Sequence, residues 1–243
     1  QLRPSQGGGT EVLYKSHLMV LDMIASNNWD RPIYYAVTVT PDNYLGMDAF
    51  MRLEGFAYRL VPEQDTTGME VPGNVEMNRA YDNLMNQFSY GNVADPKVYK
   101  DENMLRQLKH YRTIFARVSA ELLRNNRADS AHKLMDFCME QIPASEVPMD
   151  VYGLPVVEQY FAMGDSVRAV EMAREMLTVA LEESAYFFSF PKRFELSLGT
   201  EKRERILLFR DLAMLCGEYG QKELEAMGAE AFEKYYYLFV GNR

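Results

Sequence analysis

A helical pattern running with few breaks from residue 76 to residue 239 most constrains what this chain can fold into. Apolar residues recur three and four positions apart, the spacing that lines one face of a helix. The pattern predicts helices over about 76–88, 101–125, 129–141, 150–163, 166–184, 201–219 and 221–239. In the longest early one, Leu105, Leu108, Tyr111, Phe115, Val118 and Leu122 share a stripe. Two turns align: Asn126-Arg127-Ala128-Asp129-Ser130-Ala131 and Gly164-Asp165-Ser166-Val167-Arg168-Ala169. Each places an alanine five residues after its turn residue, where a small side chain lets two helices approach closely. Glu218-Tyr219-Gly220-Gln221 is a third candidate turn, with an insertion expected before it over 186–199. The helices therefore read as consecutive hairpins, with a plain bundle as the alternative.

The first third reads differently. A helix is expected over 11–26, with Leu13, His17, Val20 and Ile24 on one face and Tyr14, Leu18, Leu21 and Ala25 widening it. Asn27-Asn28 ends it, because Asn tolerates a left-handed helix terminus. Arg31-Pro32 forces extended backbone. A strand follows over 33–40, with Ile33, Tyr35, Val37 and Val39 alternating against Tyr34, Ala36, Thr38 and Thr40. Pro41-Asp42-Asn43 marks a turn. A short helix over 48–53, a second strand over 55–61 and a polar loop to residue 73 complete the segment. The expected class is α+β and predominantly α: a lead-in or linker over 1–10, a small mixed α/β unit with two strands over 11–75, and a helical-hairpin region over 76–243.

Composition excludes several functions. A formal charge of −9, from 26 Lys+Arg against 35 Asp+Glu, argues against a nucleic-acid binder, whose affinity rests on cations facing phosphates. It also argues against binding an anionic membrane surface. No apolar window is long enough to span a bilayer. A chain of 243 residues needs no disulfide or metal to fold. Cys138 and Cys216, both in helical patterns, are expected to be buried free thiols.

Catalytic motifs are missing from the sequence. His17, His110 and His132 form no ligand pair, and the two cysteines lie far apart, so no zinc spacing exists. There is no phosphate loop after Gly7-Gly8-Gly9, no Gly-x-Ser-x-Gly elbow and no Asp-x-Asp pair. No cofactor or metal is expected. Two candidate binding clusters stand out. The first is Asn28, Trp29, Arg31, Tyr34 and Tyr35. Trp29, the sole tryptophan, is expected to fill the gap at a helix-to-strand corner; alternatively, with Arg31, it stacks on a sugar or peptide. The second is Asp42, Asn43 and Tyr44, which a turn also explains. At the far end Tyr235-Tyr236-Tyr237 and Phe239 read as the apolar face of a last helix, with a docking surface as the alternative.

The hairpin pattern resembles tetratricopeptide-type arrays. A more specific resemblance rests on Ser26-Asn27-Asn28-Trp29-Asp30-Arg31-Pro32-Ile33-Tyr34-Tyr35-Ala36-Val37, on Pro41-Asp42-Asn43-Tyr44-Leu45-Gly46, and on Leu53-Glu54-Gly55-Phe56-Ala57-Tyr58-Arg59-Leu60-Val61-Pro62. Tyr90-Gly91-Asn92 and Asp101-Glu102-Asn103 extend it. Over about 11–240 these resemble the C-terminal soluble region of a Bacteroidetes family of large multi-pass membrane proteins, themselves similar to protein O-mannosyltransferases. The resemblance implies a fragment on the extracytoplasmic, periplasmic side of a glycosyltransferase-like protein whose catalytic part lies elsewhere. It implies a non-catalytic accessory region that holds a protein or peptide partner, or the parent's own membrane portion. The alternative is a self-standing carbohydrate-binding or hydrolytic domain with its site near Trp29.

Overall fold

A computed structural model describes residues 13–65 and 74–241. The lead-in over 1–10 and most of the expected loop over 62–73 lie outside the described residues. The chain divides into two compact units, Gln1–Ser89 and Tyr90–Arg243.

In the first unit, helix α1 (Lys15–Asn27) leads into a four-stranded mixed sheet of β1 (Ile33–Ala36), β2 (Met51–Leu53), β3 (Ala57–Leu60) and β4 (Asn74–Val75). The order is β1-β3-β2-β4. β3 pairs antiparallel with both β1 and β2, and β2 pairs parallel with β4. The register places Tyr35 opposite Tyr58, and Met51 opposite Leu60. All four are buried and form the inner face. Helix α2 (Met77–Asp82), extended by a wider turn over Asn83–Gln87, adds buried Ala80 and Leu84.

Three expectations need correction here. The sheet has four strands rather than two. The short helix expected over 48–53 is a single 3-10 turn, Asp48–Phe50, followed by β2; pairing with β3, which buries Met51 and Leu53, outweighs the local preference. The strand expected over 33–40 stops at Ala36, because the Val39 amide turns back to the Ala36 carbonyl at 3.0 Å. The expected alternation still holds: Tyr35 and Val37 are buried, while Tyr34, Ala36 and Thr38 face solvent.

The second unit is helical: α3 (Glu102–Arg124), α4 (Ala128–Gln141), α5 (Leu154–Ala162), α6 (Ser166–Phe188), α7 (Glu195–Glu218) and α8 (Lys222–Gly241). Asp101 caps α3 by accepting from the Met104 amide at 2.8 Å, and Asp165 caps α6 through Arg168 at 3.2 Å. Consecutive helices pack as pairs, α3 on α4, α5 on α6 and α7 on α8. The three turns within pairs are built alike. Asn126, Gly164 and Gly220 all adopt left-handed backbone, with φ of 58°, 83° and 70°. In each, the next amide reaches back five residues: Arg127 to Leu122, Asp165 to Tyr160, and Gln221 to Cys216. That bond satisfies a carbonyl orphaned at the end of the preceding helix.

Ala131 and Ala169 are fully buried, as the aligned turns predict. In the third pair the small residue is Gly228, where an added Cβ would lie 3.1 Å from both Ala213 Cβ and the Phe209 carbonyl. The insertion expected over 186–199 is not a separate loop. α6 continues to Phe188 and α7 already begins at Glu195, so the extra residues lengthen two paired helices.

The largest fully buried side chain is Arg112 on α3, 1% exposed. Its guanidinium donates to the carbonyls of Ile142 at 2.8 Å and Val147 at 2.6 Å. It thereby ties the end of α4 and the following loop to α3. Cys138 and Cys216 are buried free thiols, which burial pushes up to about 12 and about 11. Such thiols are poor nucleophiles near neutrality.

Candidate functional site

The corner between α1 and β1 holds three of the predicted site residues, Asn28, Trp29 and Arg31, in a geometry the sequence did not predict. The Asn27 side chain donates to the Arg31 carbonyl at 2.7 Å, and the Asp30 amide to the Asn27 carbonyl at 3.0 Å. Within this clasp Asn28 and Trp29 both take left-handed backbone, with φ of 49° and 62°. Asn tolerates that conformation, but a bulky side chain with a Cβ does so at a cost of about 1–2 kcal/mol. Trp29 is 49% exposed. The expectation that it fills a gap in the core is therefore wrong: the left-handed turn throws the indole outward. Arg31 is exposed beside it.

The remaining candidates divide between two faces of the sheet. Tyr34 and Tyr35 point opposite ways, as neighbours on a strand must. Tyr35 and Tyr44 are buried and meet edge to face, with ring centroids 6.0 Å apart; Tyr44 meets Tyr58 in the same way. These two are core residues, so the structure does not bring them onto one surface with Trp29. Asp42 is exposed in the 3-10 turn Pro41–Asn43. Asn43 is a tie: its oxygen accepts from His17 Nε2 at 3.0 Å, and its amide donates to Thr40 Oγ1 at 2.8 Å. It fastens the turn to α1.

On the open face, Tyr34 donates to Glu54 at 3.0 Å. Glu54 is only 5% exposed and pairs with Arg79 at 2.8 Å and Arg59 at 3.5 Å. Its backbone carbonyl accepts from Asn83 at 2.6 Å. Burial and the Glu54 carboxylate push the Tyr34 hydroxyl up, which keeps it a donor. Sequence reading did not single out Glu54, because its partners lie 5 to 29 positions away and only the fold collects them.

The decisive observation concerns α1. His17, Val20, Leu21 and Ile24 share a half-buried face. Leu18, Met19 and Met23 stay exposed on the rest of the helix, as do Leu13 and Tyr14 at its start, and no residue of α1 is buried. A helix apolar on most of its circumference is ordinarily buried. Among the described residues that apolar surface is exposed, as Trp29 and Tyr34 also are.

A second polar cluster lies in the helical unit. Asp136 on α4 accepts from Arg168 and from the Tyr160 hydroxyl at 3.2 Å, and its other oxygen lies 3.1 Å from His132. Burial pushes the Tyr160 hydroxyl up, far from use as a base at neutral pH. With the Asp136 carboxylate saturated, the cluster links α4, α5 and α6 as a strut. Among the described residues no group of His, Cys, Asp and Glu could hold a metal ion, and no helix is long and apolar enough to cross a membrane. At the C-terminal end Tyr235 stacks on Phe209 in the core, while Tyr236 and Tyr237 are exposed.

Residues 7–79 match a family model described as TMEM260-associated domain 2. The matched segment is thus similar to a domain associated with TMEM260-family membrane proteins. It contains α1, the Trp29 corner and all four strands. No curated protein and no solved structure gives a significant match to the chain.

Proposed function

We propose that this chain is a non-catalytic, extracytoplasmic accessory region of a membrane glycosyltransferase-like protein, and that α1 with the Trp29 corner docks on the parent's own membrane portion. The observation that carries the reading is α1 itself, an apolar helix without a single buried residue inside the segment that resembles a membrane-protein-associated domain. Covering Leu18, Met19 and Met23 would remove apolar area from water at about 25 cal/mol per Å2. The paired helices of the second unit are consistent with a tetratricopeptide-like interaction array.

Photo-crosslinking in native membranes tests this. A benzophenone side chain at Met19 of the intact parent polypeptide is expected to form adducts that map to the parent's apolar helices. The same probe at Val167, exposed on α6, is expected to give none there. Identical adduct maps from the two positions would contradict the proposal. The exposed Trp29 beside Arg31 also favours a second reading, a platform that stacks on carbohydrate. Saturable quenching of Trp29 emission by oligosaccharide in the isolated chain would support that instead.

A further inference from the structure

We infer that the cleft between α5 and α7 is a docking site for a Lys- or Arg-bearing segment of a partner polypeptide. The cleft has a volume of about 280 Å3. Leu154 and Pro155 from α5 and Met214 and Leu215 from α7 make an apolar surface, and Glu158, Asp211 and Glu218 supply carboxylates around it. Asp211 is already matched, by Arg210 at 2.7 Å. Glu158 and Glu218 have no cationic partner among the described residues.

The two unmatched carboxylates act on the same spot. Partial burial pushes the Glu158 carboxyl up and Glu218 adds to it; partial burial likewise raises the neighbouring Tyr219 hydroxyl, and Glu158 and Glu218 add to that. Tyr219 is fixed by stacking on Phe161, with centroids 4.6 Å apart. Both carboxylates are exposed at the edge of this apolar surface, where like charges repel, and among the described residues no cation pairs with either. A cation placed between them turns that repulsion into two attractive, charge-assisted contacts.

The shape selects the cation's carrier. The volume of about 280 Å3 lies at the bottom of the roughly 300–1,000 Å3 range usual for a small-molecule site, room enough for one long side chain. A lysine or arginine lays its aliphatic stem along Leu154, Pro155, Met214 and Leu215 and presents its charged head to the carboxylates. Leucine-like residues flanking it would cover Met214, which is largely exposed. The net charge of −9 favours encounter with a basic segment. This site belongs to the helical unit and does not depend on what covers α1.

Fluorescence anisotropy with a short blocked peptide, carrying one lysine between two leucines, tests the inference at about 0.15 M salt. The whole chain is used, with three comparisons. The same peptide with Nε-acetyllysine, and the E158Q/E218Q chain with the original peptide, are each expected to bind at least about tenfold more weakly. The E171Q/E175Q chain, which makes the same charge change on exposed positions of α6, is expected to keep its Kd within about twofold. The E158Q/E218Q chain should melt no lower than the parent, so that lost binding is not lost folding. Equal losses in both variants, equal binding of the acetylated peptide, no saturable binding to the parent chain, or a lower melting temperature for E158Q/E218Q would each overturn the site.

Discussion

Helices α1 and α3 carry similar apolar spacings and meet opposite fates. α3 buries Leu108, Ile114, Phe115, Val118 and Leu122 against its neighbours, and even Arg112 goes inside. α1 buries nothing. The difference lies in what each unit offers. The helical unit supplies partner helices across close crossings at Ala131, Ala169 and Gly228. The sheet unit uses its inner face on Tyr35, Met51, Tyr58 and Leu60, and α1 is tied to it by the His17–Asn43 and Asn27–Arg31 hydrogen bonds. Periodicity therefore reports what a helix is able to bury. Whether it does so depends on surface that another element, or another protein region, provides.

That contrast predicts a steep gradient of mutational cost, largest at Arg112. Arg112→Ala removes a large side chain and strands the Ile142 and Val147 carbonyls, so urea unfolding should report a loss of about 3–5 kcal/mol. A loss below about 1 kcal/mol would mean that the end of α4 is held by something else. Next comes the hairpin crossing. Ala169→Leu overpacks a fully buried position and should cost about 1–3 kcal/mol, whereas coincident urea midpoints would refute the close crossing. In the sheet unit, Arg79→Ala leaves buried Glu54 with the Tyr34 hydrogen bond and the longer Arg59 contact, at a comparable cost of about 1–3 kcal/mol. Rescue by Arg79→Lys, even in part, would show that charge rather than packing is responsible.

A smaller effect depends on pH. Glu158 has its carboxyl raised by partial burial and, to a lesser extent, by Glu218. The folded state therefore holds that proton more tightly than the unfolded chain does. This contribution favours the fold below the unfolded glutamate value of about 4.3 and is lost as pH rises through the folded value. Glu158→Gln should accordingly raise the melting temperature at pH 7, with the advantage fading as pH falls toward 4. A substitution that lowers the melting temperature at pH 7 would place an unrecognised cation beside Glu158.

Much of this fold is legible in the sequence. The helix borders at Asp101 and Asp165 follow from capping chemistry, and the turns at Asn126, Gly164 and Gly220 from left-handed tolerance. What was not legible is held by distant partners. β2 and β4 span three and two residues, too short for any period, and exist because β3 and β2 pair with them. Arg112 lies on the Leu108–Phe115 stripe of α3, where a charged residue ordinarily reads as surface; only the carbonyls beyond α4 explain its burial. The Trp29 corner misled for a related reason. Asn27-Asn28 and Pro32 correctly marked a bend, but the backbone hand at Trp29, and so the indole's direction, follows from the Asn27–Arg31 clasp. At the site, the sequence grouped Asn28, Trp29, Arg31, Tyr34 and Tyr35 but not their exposure: Asn28, Trp29, Arg31 and Tyr34 are exposed, whereas Tyr35, like Tyr44 of the second cluster, is core.

The smallest stability effects belong to the uncovered surface. Met19→Ser and Trp29→Ala should each shift stability by no more than about 0.5 kcal/mol, in contrast to Arg112. The most direct measurement of the central claim is the emission of Trp29, the sole tryptophan, in the folded chain. An uncovered corner predicts red-shifted emission that iodide quenches nearly as well as it quenches a free tryptophan amide. Addition of the parent's membrane portion in detergent should then shift the emission to the blue and protect it from iodide. Blue-shifted, iodide-resistant emission from the chain alone would contradict the account, because Trp29 would then already be buried.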